Sequence, residues 1–101
     1  MSNDLRHIRI KEHSFLAKLA SRKLGQSPMA IVFGNCIHLY GVSRLDFLQD
    51  RRWLRHEMEH IRQFRKFGLL RFIILYLWES LRKGYYNNRF EIEARRAESD
   101  E

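Results

Sequence analysis

The segment His56-Glu57-Met58-Glu59-His60 sets two imidazoles four positions apart, with a carboxylate directly after the first. On a helix, residues at that spacing stand one turn above each other on the same face. Both rings can then reach one tetrahedral metal ion, with nitrogen–metal distances of about 2.0–2.1 Å. The carboxylate that follows the first histidine points beside such an ion rather than at it. There it can take a proton from a water molecule whose pKa the metal lowers to about 7. The chemistry suggested is zinc-assisted hydrolysis, with His56 and His60 as ligands and Glu57 as general base.

These residues need a helix to hold them. Asp50 reads as its N-cap and Gly68 as its stop, which predicts a helix over 51–67. At about 100° per residue, Arg51, Arg52, Arg55, Glu59, Arg62 and Lys66 share a polar arc. Trp53, Leu54, Met58, Ile61, Phe64 and Phe67 form the opposite arc, with Arg65 as a charged intruder. Glu57 and His60 fall inside that apolar arc, and His56 at its edge. Polar groups on a core-facing arc are costly to bury unless something pairs with them. A metal ion does so, and it would also stabilise a small domain that has no disulfide.

Two histidines hold zinc loosely, so a third protein ligand is expected. A metzincin pattern needs glycine at position 63 and histidine at 66, whereas this chain has Gln63 and Lys66. Glu79 lies nineteen residues after His60, near a thermolysin-like spacing, but Lys83 stands where the accompanying aspartate would be. Glu91 and Glu93, in Asn88-Arg89-Phe90-Glu91-Ile92-Glu93-Ala94, are the other candidates. Glu91 also has a structural reading, as the return half of a capping box opened by Asn88.

HEMEHIRQ followed by NRFEIEA resembles the gluzincin metallopeptidases, in particular the small members called minigluzincins. The likeness covers roughly residues 30–98. It implies a zincin-like minimal domain, zinc as cofactor and a peptide or protein as substrate. It also implies Glu91 as third ligand, ahead of Glu79 and then Glu93, with Ala94 one turn on allowing close helix approach. A strand at Cys36–Tyr40 is expected along the cleft, where its edge can pair with an extended peptide. Tyr85 and Tyr86 are candidates for stabilising an oxyanion. Gln63, about one turn after His60, and Asn88, at the head of the glutamate helix, are candidates for holding the ligands in place. The acidic tail from Glu98 is a candidate plug for the site.

Around these residues the chain reads as α+β, one mainly helical domain over 1–101 with a small β-hairpin. A helix is predicted over Glu12–Leu24, with Gly25 as its stop. Strands Met29–Phe33 and Cys36–Tyr40 are joined by Gly34-Asn35, a hairpin signal. Ser43 caps a short helix through Gln49. A helix from about Leu69 to Lys83 stops at Gly84, Tyr85 to Asn88 form a connector, and a last helix runs toward Ala97. The 69–81 stretch is apolar nearly all round, which suggests a homodimer interface or contact with another protein, ahead of a membrane surface. His38 is expected on the cleft side or the surface, and Cys36 as a small buried hydrophobe.

Composition bounds the rest. The 101 residues carry 19 basic and 12 acidic side chains, net +7, and a single cysteine. Residues 51–83 carry 9 basic and 3 acidic groups, and much of that excess lies on the outward arc of the histidine helix. Nucleic acid is therefore disfavoured as partner despite the charge. The longest apolar run, Leu69 to Trp78, is ten residues and is broken by Arg71, against the roughly 20 that a membrane span requires. A lone cysteine and the absence of a signal-like N-terminus point to the cytoplasm. The rival to a peptidase is a non-catalytic, zinc-stabilised basic domain that binds protein or nucleic acid.

Overall fold

In a computed structural model the chain is described over residues 8–99. Its order is β1 (Arg9–Lys11), α1 (Phe15–Leu24), β2 (Met29–Phe33), β3 (Cys36–Tyr40), α2 (Arg44–Gln49), α3 (Arg51–Phe67), α4 (Leu69–Asn87) and α5 (Arg89–Ala97). The fold is α+β and mainly helical, with one small sheet, as the sequence predicts.

The hairpin forms where Gly34-Asn35 places it, with Phe33 opposite Cys36 and Met29 opposite Tyr40. The sheet order, however, is β1-β3-β2. β1 joins β3 in parallel, with Ile10 opposite Ile37. β3 is therefore the central strand, paired on both sides, and cannot offer an edge to a peptide. Among the described residues the edge strands are β1 and β2, and β2 is the one that lines the groove beside the histidines. The three residues of β1 carry no pattern of their own, because their pairing is supplied by β3.

Caps set the helix boundaries. The Ser14 side chain accepts from the Ala17 amide, so α1 starts after Ser14 rather than at Glu12. Ser43 caps α2 through the Asp46 amide, and Asp50 caps α3 through the Trp53 amide. Gly84 does break α4, at φ 82° and ψ 165°, a conformation that favours glycine. The next residues form one more helical turn where a connector is predicted. That turn directs Tyr85 back toward α5.

Alternation along the strands turns Ile37 and Leu39 to one face, where they meet Phe47 of α2 and Ile61 of α3. The opposite face carries His38, whose Nδ1 lies 2.8 Å from Ser14 Oγ at the head of α1. His38 thus braces a helix cap rather than the cleft, and burial with the charge of Lys11 lowers its pKa. Cys36 is half-buried rather than fully enclosed. A second core joins α3, α4 and α5 through Phe64, Phe72 and Phe90, with ring centroids 4.5 Å apart for Phe64–Phe72 and 5.0 Å for Phe72–Phe90. α4 buries only Phe72 fully and leaves Leu70, Ile74, Leu77, Trp78 and Leu81 exposed. This uncovered side is the one on which the homodimer expectation rests. No helix of the described residues is long and apolar enough to cross a membrane.

Candidate metal centre

α3 and α5 pack side by side, and Ala94, fully buried, lets them approach closely. Their facing sides bring together His56, His60 and Glu91, with one ligand atom from each within 4.8 Å of the others. Nε2 of His56 and Nε2 of His60 each lie 3.2 Å from Glu91 Oε1. The other glutamate candidates are elsewhere. Glu79 accepts from the Arg89 amide and pairs with Lys83, capping α5 from outside. Glu93 accepts from Gln63 Nε2 at 3.0 Å.

Every polar atom behind the three ligands has a partner. Gln63 is fully buried; its Nε2 donates to the Phe90 carbonyl at 3.1 Å and to Glu93. Since both of those partners are acceptors, Oε1 is the Gln63 atom that faces His60 Nδ1, at 2.9 Å. On the other histidine, Nδ1 donates to Glu98 Oε2 at 2.8 Å. The Tyr76 hydroxyl donates to Glu91 Oε2, leaving Oε1 turned toward the histidines. Asn88 is fully buried too: its Oδ1 caps the Phe90 amide at 2.8 Å, and its Nδ2 reaches the Tyr76 carbonyl and Ser80 Oγ. With Asn88 and Glu79 serving the first turn of α5, the Glu91 side chain is released from the capping-box role.

This arrangement fits a divalent cation. Both Nδ1 atoms face acceptors, so each ring holds its hydrogen there. Both Nε2 atoms face a carboxylate oxygen as well. Filled by protons alone, the cluster requires two imidazolium ions in a buried space, both directed at the same Glu91 oxygen. A cation taking both Nε2 lone pairs leaves both rings neutral and satisfies Glu91. Burial would lower the His56 pKa, but the Glu91 hydrogen bond, the Glu57 charge and Glu98 outweigh it and raise it to about 9. His60 is raised likewise, by Glu91 against burial. Burial would raise Glu91, yet hydrogen bonds from His56, His60 and Tyr76 hold it well below the usual carboxylate range.

Glu57 is buried and does not join the ligands. Its Oε2 accepts from Trp53 Nε1 at 3.2 Å, and burial, opposed by the charges of His60 and His56, raises its pKa to about 7. It lines a groove that passes the three ligands. One stretch, about 650 Å³, is walled by apolar residues including Ile31, Phe64, Ile73 and Leu77. The other, about 620 Å³, is more polar and includes Asp50, Arg52 and Glu98. β2 residues line both stretches, and so does Tyr85, whose pKa burial and the nearby Glu91 and Glu57 charges push up to about 12. Tyr86 is turned away, its ring under the Arg95 guanidinium at 3.9 Å.

Sequence reasoning overlooked Tyr76 and Trp53 and misread Glu98. A hydroxyl in an otherwise apolar helix was the signal for Tyr76, and the four-residue spacing to Glu57 the signal for Trp53. Glu98 is not a plug: it lies behind His56, on the Nδ1 side, while Asp100 and Glu101 lie outside the described residues. Comparisons of the chain with protein-family models, with curated proteins and with solved structures found no match.

Proposed function

We propose that the chain is a zinc-dependent peptidase of the gluzincin kind, binding the ion through His56, His60 and Glu91. The observation that carries this reading is that both histidines have Nδ1 engaged while both Nε2 atoms converge on Glu91, with the buried Glu57 carboxylate alongside. When bound, zinc supplies Lewis acidity, which acidifies a water molecule and polarises a carbonyl.

The chain's own residues do the rest. Glu57, with a pKa of about 7, takes a proton from the attacking water and returns it to the departing amine. The Trp53 indole holds one oxygen of that carboxylate, leaving the other for proton transfer. Tyr85, with its phenol kept protonated, donates to the oxygen of the tetrahedral intermediate. The substrate is an extended peptide or protein segment that pairs with the open edge of β2 and lays an apolar side chain in the groove. A reducing compartment such as the cytoplasm suits a chain with one cysteine.

The deciding experiment compares wild type with Glu57→Gln, each loaded with one equivalent of zinc, on a quenched fluorescent peptide mixture. Glu57→Gln is expected to bind zinc as wild type does and to lose at least about 100-fold in hydrolysis, the scale of general base catalysis. Equal hydrolysis by both proteins would overturn the mechanism. Zinc binding without any hydrolysis would favour the non-catalytic zinc domain.

A further inference from the structure

His60 and His56 are supported differently. Gln63, three residues after His60 on the same helix, turns inward to hold His60 Nδ1. The equivalent position after His56 is Glu59, which is taken up by Arg62 through both carboxylate oxygens. α3 therefore offers His56 no acceptor of its own. On α5, the residue one turn after Glu91 is Arg95, and it is committed to Tyr86.

The acceptor comes from two turns after Glu91. Glu98 Oε2 accepts from His56 Nδ1 at 2.8 Å, across 42 positions of sequence. Glu98 Oε1 accepts from Arg52 Nη2 at 3.2 Å. The Glu98 main-chain carbonyl accepts from Arg55 Nε at 2.9 Å and Nη2 at 2.6 Å. Three residues within the first two turns of α3 thus converge on one residue at the end of α5. The Arg55 contact is to backbone, so it anchors the segment whatever side chain stands at 98.

We propose that Glu98 is the positioning residue for His56: it fixes the Nδ1–H tautomer and ring orientation that present Nε2 to the metal. The proposal rests on the metal-centre reading above. A carboxylate behind a ligand histidine also makes the imidazole a stronger donor. The centre is then completed only when the last turn of α5 is in place, although no ligand lies beyond Glu91.

The test measures zinc affinity on the full chain by competition with a chromophoric chelator. Wild type is compared with Glu98→Ala, Glu98→Gln, Arg52→Ala and the double variant His56→Ala/His60→Ala. Glu98→Ala is expected to bind zinc about 10–100-fold more weakly. Glu98→Gln, whose amide oxygen still accepts but carries no charge, should fall between it and wild type. Arg52→Ala, which removes only the exposed ion pair, should stay within about twofold of wild type. In imidazole ¹⁵N spectra of the zinc-loaded protein, the His56 Nδ1–H signal should be protected in wild type and lost in Glu98→Ala, while that of His60 persists. Unchanged affinity in Glu98→Ala, against a tightly binding wild type, overturns the proposal and leaves the metal centre standing. An equal loss in Arg52→Ala also overturns it, since the effect would then come from anchoring the tail. A wild type that binds no better than the double variant removes the metal centre, and the proposal with it.

Discussion

At the scale of single residues, the proposed centre would couple metal binding to proton release. Without a metal, His56 has its pKa raised from 6.5 to about 9, and His60 is raised as well. A group with a raised folded pKa stabilises the fold fully below its unfolded pKa. That contribution is lost as pH rises through the folded value. For His56 the window runs from about 6.5 to about 9. Zinc must displace these same protons, so its apparent affinity should rise with pH over that window. The expected slope is about tenfold per unit for each proton displaced, and it should flatten above about pH 9. Chelator competition at several pH values measures it; a flat profile would mean that Nε2 of neither ring is a ligand. This scale is also where the sequence was most readable. Two histidines four apart are local geometry, and their placement on the inner arc of α3 follows from counting. The arrival of Glu91 depends on how α4 turns the chain back, which no local spacing reports. Tyr76 and Glu98 were hidden for the same reason, since each acts across a helix–helix contact.

At the scale of elements, the head of α5 is the joint on which Glu91 depends. Asn88, fully buried, caps α5 and binds the Tyr76 carbonyl and Ser80 Oγ of α4. Replacing it by alanine removes a cap and leaves buried groups without partners. A cost of about 2–4 kcal/mol is expected, read as a lower denaturant midpoint with unchanged slope. Zinc affinity should fall in the same variant, because Glu91 loses its fixed approach. The helix boundaries were legible wherever a capping side chain or glycine marked them, as at Ser43, Asp50, Gly68 and Gly84. β1 was not, because three residues with charges at both ends gain their structure only from pairing with β3. That pairing also makes β3 central and leaves β2 as the edge beside the groove, a consequence of sheet order rather than of any residue in the strand.

At the scale of the whole molecule, the two cores share α3, and the proposed metal ligands sit where α3 meets α4 and α5. A bound ion therefore ties the last helix to the rest. At a free zinc concentration a hundred times its dissociation constant, binding adds about 2.7 kcal/mol. For a domain of this size that corresponds to a rise in Tm of roughly 10–20 °C. Stripping the metal with a chelator and repeating the thermal scan should reverse it, and a Tm indifferent to chelation would show that the fold does not hold zinc.

The open edge of β2 has a consequence for how the protein behaves in bulk. Met29-Ala30-Ile31-Val32-Phe33 contains no charge and no proline, and its outer hydrogen-bonding groups have no strand beside them among the described residues. Such an edge does not distinguish a peptide from the same strand of another molecule. The mutual repulsion of chains carrying +7 stands against stacking, and salt screens that repulsion. Concentrated protein is therefore expected to associate more readily as salt rises, which light scattering across a salt series measures.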